Sequence, residues 1–242
     1  MQSNPQKTTK ILLMRHAESF YNQYVSDAIF HHTKTRTHAI DYTNKILMQS
    51  LALIDSSTNP DILNTKLTPK GISECQALSQ SIHSKYPKIK KILLSPMRRA
   101  IQTFEHTFFS PESLQNQSIE SVAKNISIEF LPEIRESVGS SCDLACWPED
   151  ELSTLHLTYN WDFMKAQKDP YLWFLAQCDQ DIQDRAYKLL EGCQTLEEKR
   201  QKLLADFVDP EHFYLKWEGP KSNYNRIQKA KQLINNIIKN EN

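Results

Sequence analysis

The sequence lacks several features that would assign a class directly. Its 242 residues hold 29 Lys and Arg against 29 Asp and Glu, so the formal net charge is zero. A neutral chain offers no electrostatic reason to bind nucleic acid or an anionic membrane. The apolar runs are only a few residues long, and Met1–Lys10 has no apolar segment typical of a signal peptide. We therefore expect a cytoplasmic protein whose partner is neither nucleic acid nor a membrane.

Cysteine is also sparse and irregularly placed. The five cysteines are an odd number without the spacing of a disulfide framework, which a chain of this length does not need. Cys142 and Cys146 have the spacing of a metal-binding pair, but Cys178 and Cys193 lie too far apart to supply a second pair. Free thiols and no bound metal are therefore expected. A reactive-cysteine phosphatase is also unexpected, since no Gly-rich Cys-x₅-Arg loop is present.

The most informative segment is near the amino end. The apolar run Ile11–Met14 predicts a short buried strand, and Arg15 and His16 follow it directly, with Asn22 close behind. Open α/β sheets bind ligands at the carboxyl ends of their strands. A guanidinium beside an imidazole suits phosphate chemistry, because the fork binds the oxygens while a ring nitrogen attacks phosphorus.

Two later segments have a related form. Thr68 and Pro69 predict a helix start, followed by apolar positions 72, 75, 78 and 82 on one helical face. The run 92–94 predicts a buried strand that ends at Ser95-Pro96, and a helix then begins near Met97. Arg98 or Arg99 at that helix start indicates a nearby anion, since a cation is otherwise unfavourable there.

A carboxylate follows a third predicted strand. The alternating run 126–131 leads into Glu133 and Glu136, and either could act as a general acid toward a leaving oxygen. Either could equally be an ordinary exposed glutamate.

Together these segments resemble the histidine phosphatase superfamily, also called the phosphoglycerate mutase-like family. The family motifs L-x-R-H-G/A-E-x-x-x-N, L-T-x-x-G and S-P-x-x-R-A-x-x-T match residues 13–22, 67–71 and 95–103. The third match selects Arg99 rather than Arg98 as the phosphate ligand. The resemblance covers roughly residues 10–145 well and the remainder loosely.

The resemblance implies a role for each matching residue. His16 would be the nucleophile that forms a phosphohistidine, while Arg15, Arg99 and Asn22 would bind the phosphate oxygens. The acid would be Glu136, because Arg135-Glu136 followed by Cys142-Asp143 is similar to the L-R-E…C-D variant of the family; Glu133 is the alternative. The implied activity is hydrolysis of a small phosphorylated substrate without a metal or organic cofactor, rather than a mutase reaction.

One family element is missing. Glu218 and Arg226 match its E…R helix, predicted here over residues 222–239 with an apolar stripe, but no strand ending in a second histidine follows. Losing one such electrostatic contact costs about 10²–10³ in rate. His212 is an improbable substitute, since it lies in a turn before that helix. Two alternatives therefore remain open: a member that binds phosphorylated ligands or protein partners with impaired turnover, and a truncated inactive product.

The expected architecture is a single phosphoglycerate mutase-like domain over residues 1–242. It is an α/β three-layer sandwich with a mostly parallel central sheet, a helical and loop insertion at 23–64, and a helical cap region at 145–215. The histidines of the insertion are expected to be solvated or near the pocket mouth rather than metal ligands; they are His31, His32 and His38. The aromatic residues of the cap region, Trp173 and Phe174 among them, are expected to pack in the core.

Overall fold

The computed structural model describes residues 9–35, 64–110, 114, 126–138, 141–144, 159–207 and 218–240. Within these ranges the chain is α/β, with helices predominating over one small parallel sheet. The helices are α1 (Phe20–Thr35), α2 (Pro69–Lys85), α3 (Arg98–Phe108), α4 (Asp162–Lys165), α5 (Gln180–Leu189), α6 (Leu196–Phe207) and α7 (Pro220–Asn240). The strands are β1 (Lys91–Leu94) and β2 (Ser127–Phe130), and 3₁₀ turns cover Pro132–Ile134, Ser141–Asp143 and Pro170–Gln177.

The sheet confirms two of the predicted strands. β1 and β2 pair in parallel, in a register that runs from Lys91 opposite Ser127 to Leu94 opposite Phe130. Parallel strands end at the same edge of a sheet, so the chain leaves both strands side by side. After β1 it enters α3, and after β2 it enters the turn Pro132–Ile134.

Helix α2 begins as predicted, and Cys75 and Ile82 of its predicted apolar face are buried. The Thr68 hydroxyl accepts a hydrogen bond from the Gly71 amide at 3.0 Å, and Pro69 occupies the first turn. Leu78, also predicted to be on that face, is 39% exposed. Gly71 and Ser79 are buried in its place. The backbone of Glu18 comes so close to Gly71 that only a small residue fits there, so side-chain size as well as hydropathy determines the buried face.

The first predicted strand is wrong within the described residues. Ile11, Leu12, Leu13 and Met14 are 61%, 45%, 88% and 41% exposed and belong to no strand. A run of four apolar residues forms a strand only where another strand supplies hydrogen bonds, and no described strand pairs with this one. The approach to His16 is therefore irregular rather than part of the sheet.

The core is built around α3 and an aromatic group. Ile101 and Phe104 of α3 are fully enclosed, as are Trp173 and Phe174 of the third 3₁₀ turn. Rings of the described cap region continue this core, because Trp161 stacks on Phe130 of β2 at 4.6 Å between centroids. The expectation that these aromatics pack internally is confirmed for Trp173 and Phe174.

Helix α7 confirms the predicted carboxyl-terminal helix and crosses the turn Pro132–Ile134. Its buried residues are Ser222, Arg226 and Ala230, whereas Ile227 of the predicted apolar stripe is 42% exposed. Ala230 of the predicted stripe is therefore buried, and the charged side chain of Arg226 lies beside it on the same buried face.

Several predictions fall outside the described residues. They concern part of the insertion (36–63, with His38), the side chains of His31 and His32, residues 145–158 with Cys146, and His212. In the described part of the chain, no helix is both long and apolar enough to cross a membrane.

Candidate active site

A pocket of about 300 Å³ lies beyond the carboxyl ends of the two strands. All five residues that the sequence predicted for the site line this pocket: Arg15, His16, Asn22, Arg99 and Glu136. The other described lining residues are Ser19, Tyr21, Ser137, Cys142 and Asp143. Three separate stretches of chain, at 15–22, 99 and 136–143, therefore meet at one cavity.

The His16 imidazole has a defined orientation. Its Nδ1 lies 2.8 Å from the backbone oxygen of Ala17. A carbonyl oxygen can only accept, so Nδ1 donates its hydrogen in this contact. Nε2 points into the pocket, 3.8 Å from Oε2 of Glu136, and the side chain is 11% exposed. In the neutral ring, Nε2 is therefore the nitrogen with a lone pair directed toward a ligand.

A threonine on α3 ties the His16 loop to the helix that carries Arg99. The Thr103 hydroxyl accepts a hydrogen bond from the Ala17 amide at 3.0 Å and donates one to the Arg99 carbonyl at 2.7 Å. Thr103 is 4% exposed, so water does not compete for these bonds. One hydroxyl thus fixes the separation between the imidazole and the guanidinium.

Glu18 secures the same loop against the start of α2. Its backbone oxygen accepts from the Thr68 amide at 3.0 Å, and its carboxylate binds the Thr68 hydroxyl at 2.9 Å and Lys70 at 2.6 Å. The hydrogen bond from Lys70 is the main cause of a lowered pKa for Glu18. A Cβ at Gly71 would lie 2.1 Å from the Glu18 oxygen, so this approach requires glycine.

Arg99 is a buried cation with three anionic or polar partners. Its guanidinium donates to the Cys142 carbonyl and to Oδ1 of Asp143, both at 2.9 Å, and to Oε2 of Glu136 at 3.0 Å. The side chain is 3% exposed. Two carboxylates therefore balance its charge, as burial requires.

Glu136 bridges the imidazole and the guanidinium. Its side chain is about half exposed, and Oε2 faces both His16 and Arg99. An Nε2–H of His16, which the ring carries when it is protonated, and then the charge of Arg99 lower the pKa of Glu136 to about 2 against the opposing effect of burial. The carboxyl is therefore ionised in the pocket as it stands.

Arg15 and Asn22 also line the pocket. Arg15 is exposed to solvent. The Asn22 Oδ1 accepts hydrogen bonds from the Ser19 amide at 3.1 Å and from its hydroxyl at 2.9 Å. Since the oxygen is used in this way, the Nδ2 group is the part of Asn22 that can donate to an anion.

The competing candidates lie elsewhere. Arg98 does not appear among the described lining residues, and its backbone amide donates to Oδ1 of Asn64. Glu133 is buried away from the pocket, with Oε1 2.8 Å from Lys229 of α7. The structure therefore places Arg99 and Glu136, rather than these neighbours, at the cavity.

Sequence reasoning missed the roles of two site residues. Thr103 was part of a matching motif, and its position four residues after Arg99 is typical of a hydroxyl that bonds the preceding turn of its own helix. That signal could have been used. Asp143 was noted only as a family match, and its pairing with Arg99 spans 44 residues of sequence, so no local pattern indicates it.

Among the described residues, no group of three or more His, Cys, Asp or Glu is arranged to hold a metal ion. The pocket groups instead provide hydrogen-bond donors and two guanidinium groups, which suit an oxyanion. Comparison of this chain with protein-family models, with curated proteins and with solved structures finds no match.

Proposed function

We propose that the protein hydrolyses a small phosphomonoester through a phosphohistidine at Nε2 of His16. The observation that carries this proposal is the orientation of His16: Nδ1 donates to the Ala17 carbonyl, and Nε2 lies 3.8 Å from Glu136 at a pocket that Arg15 and Arg99 also line. A nucleophilic nitrogen in a pocket with two guanidinium groups suits a phosphoryl group under attack.

The reaction proceeds in two transfers. Nε2 of His16 attacks phosphorus, the ester P–O bond breaks, and the departing alkoxide takes a proton from Glu136. Water then attacks the phosphohistidine, giving its proton to Glu136 as the P–N bond breaks and inorganic phosphate leaves. Arg15 and Arg99 stabilise the charge on the non-bridging oxygens in both steps.

Glu136 must gain a proton before it can act as the acid, and binding supplies the reason. A phosphate that contacts Arg99 takes over the donor that Glu136 now uses, and it brings negative charge beside the carboxyl. Both changes favour the neutral form of Glu136. Substrate binding therefore favours the protonated form of Glu136, which is the form that can donate a proton.

The proposal extends to architecture and setting. We propose that the parallel pair β1 and β2 belongs to the larger three-layer sandwich of the histidine phosphatase superfamily. The partner we propose is a small phosphorylated substrate, rather than nucleic acid or a membrane. The cytoplasm is the compartment we propose.

Trapping the phosphoenzyme tests this function. Wild-type protein incubated with p-nitrophenyl phosphate should release p-nitrophenol and carry acid-labile phosphate, and both signals should disappear in His16→Ala. His106→Ala is the matched control, because His106 lies on the last turn of α3 and is not among the described lining residues. Equal labelling of wild type and His16→Ala would refute the proposal.

A second candidate is binding of a phosphorylated ligand without turnover. It is favoured by the two carboxylates on Arg99 and by the presence of one histidine, His16, among the described residues that line the pocket. It predicts that inorganic phosphate raises the melting temperature while hydrolysis stays at background. A melting curve unchanged by phosphate would exclude it.

A further inference from the structure

A buried ion-pair network lies next to Glu136 but outside the pocket. Its centre is Glu218, whose side chain is fully buried just before α7. The Glu218 carboxylate accepts hydrogen bonds from Nη1 of Arg135 at 2.8 Å, from Nε of Arg226 at 2.8 Å and from the Val138 backbone amide at 2.9 Å. Two of these three donors belong to residues that flank Glu136 in the chain.

Arg226 binds the same segment from its other side. Its Nη1 donates to the backbone oxygens of Glu133 at 2.7 Å and of Arg135 at 2.6 Å. Arg135 itself donates from Nη1 to the Glu136 backbone oxygen at 2.7 Å. The backbone of residues 133–138 is therefore bound at Glu133, Arg135, Glu136 and Val138, on both sides of the Glu136 Cα.

One carboxylate in this network faces two guanidinium groups. Although burial acts to raise it, the pKa of Glu218 is lowered, mainly by Arg135 and then by Arg226. Glu218 is therefore an anion that holds both guanidinium groups in a buried site. Because burying these charges costs desolvation energy that an apolar contact would not, the network is weak evidence for a gain in stability, and the backbone bonds it makes are the feature to explain.

We propose that Glu218 and Arg226 are positioning residues for Glu136, because they hold the backbone that places its carboxyl at the pocket beside His16 and Arg99. Neither residue is among the described residues that line the pocket, so they act through the backbone of residues 133–138. The inference rests on the proposed function, since it concerns the proton donor of that reaction.

The dependence of kcat/KM on the leaving group distinguishes a role in positioning Glu136 from a role in the stability of the fold. Hydrolysis of phenyl phosphate needs a proton donor more than hydrolysis of p-nitrophenyl phosphate, whose phenolate leaves readily. In Glu218→Gln and in Arg226→Lys we expect kcat/KM for phenyl phosphate to fall about tenfold further than for p-nitrophenyl phosphate. Arg226→Lys keeps the positive charge beside Glu218 but loses the hydrogen bonds to the backbone oxygens of Glu133 and Arg135. This variant can therefore be used for the test if Glu218→Gln does not fold.

Lys229→Met is the matched control. It also removes an ion pair between α7 and this segment, the one with Glu133, but it leaves the backbone around Glu136 bound. It should preserve the ratio of the two kcat/KM values. Folded Glu218→Gln and Arg226→Lys proteins with the wild-type ratio would overturn the proposal.

A carboxyl titration separates this inference from the proposed function. With ¹³C-labelled glutamate, the Glu136 signal is assigned by its absence in Glu136→Gln. In the wild type it should stay ionised down to about pH 4, and in both positioning variants its pKa should rise by about one unit as the carboxyl moves from Arg99. An unchanged titration would overturn the positioning role. Absence of hydrolysis and phosphoenzyme in the wild type would refute the function alone.

Discussion

Glu136 already contacts, before a ligand enters, the two groups that the proposed reaction assigns to phosphate. Its carboxylate faces the His16 imidazole and the Arg99 guanidinium. A second carboxylate, Asp143, shares the same guanidinium. Ligand binding at this pocket is therefore an exchange, in which one anion replaces another.

That exchange predicts proton uptake on binding. The pKa of Glu136 is about 2 beside His16 and Arg99, and we expect it to rise once an anion occupies Arg99, so that the complex takes up a proton. Sulfate affinity should strengthen as pH falls, by up to about tenfold per pH unit. Sulfate keeps a constant charge over the range used, so isothermal titration at several pH values reports on the protein.

Two variants assign the proton. Glu136→Gln should flatten the pH dependence of sulfate affinity, whereas Glu133→Gln, on the neighbouring turn and outside the pocket, should keep it. A slope that survives unchanged in Glu136→Gln would place the proton on another group.

The Thr103 hydroxyl makes a second prediction at this scale. Thr103→Val preserves shape but leaves the partly buried Ala17 amide without its acceptor, so it should lower the free energy of unfolding by about 1–3 kcal/mol. Thr107→Val is the control, because in the described part of the chain that buried hydroxyl faces the Cys75 thiol, a weak hydrogen-bond partner, rather than a backbone amide. Urea denaturation of both variants should separate them, and equal losses would contradict the role given to Thr103.

At the scale of elements, the packing of α2 against the His16 loop depends on one missing side chain. Alanine normally favours a helix over glycine by roughly 0.5–1 kcal/mol. In Gly71→Ala the new Cβ would meet backbone at Glu18, which cannot move aside as a side chain would. We expect a net loss of stability of about 1–3 kcal/mol and weaker phosphate binding, measured by thermal shift with and without phosphate.

Gly219→Ala is the control for this substitution, since no heavy atom of the residues that the structure describes lies within 4 Å of a Cβ built there. It should leave both measurements near the wild-type values. A Gly71→Ala protein as stable as Gly219→Ala would mean that α2 does not approach the loop so closely.

The elements that sequence predicted correctly carry strong local signals. Thr68 and Pro69 start α2. The apolar residues of β1 form a continuous run and those of β2 alternate with polar residues, and both patterns are typical of strands. The first strand failed because Ile11–Met14 carries the same apolar signal without a partner strand in the described residues. The pairing of Asp143 with Arg99 and the clamp of Glu218 on residues 133–138 depend on tertiary proximity, which no spacing reveals.

At the scale of the whole molecule, the exposed run Ile11–Met14 gives a direct test of the architecture. Leu13 is 88% exposed, so Leu13→Lys should change the free energy of unfolding by no more than about 0.5 kcal/mol. A Leu at that position in a buried central strand would not tolerate the charge. Leu94→Ala in β1, where the side chain is 6% exposed, should cost about 2–5 kcal/mol by urea denaturation.

A large loss in Leu13→Lys would instead place the run inside a sheet, as the amino-acid pattern first indicated. The comparison therefore decides between an irregular approach to His16 and an additional strand. It does so without any assumption about catalysis.

The parallel register of β1 and β2 also bears on how distant relatives of this chain can be found. Leu94 and Phe130 end the two strands opposite each other. Arg99 lies five residues after Leu94 and Glu136 six residues after Phe130, and these two spacings bring the side chains together. An insertion or deletion within either of these two spacings would turn Arg99 or Glu136 away from the cavity. A change of length elsewhere in the chain would leave the two side chains together. A sequence pattern that fixes these two spacings and allows every other spacing to vary would therefore detect the site in proteins whose overall sequence similarity is too low to be recognised.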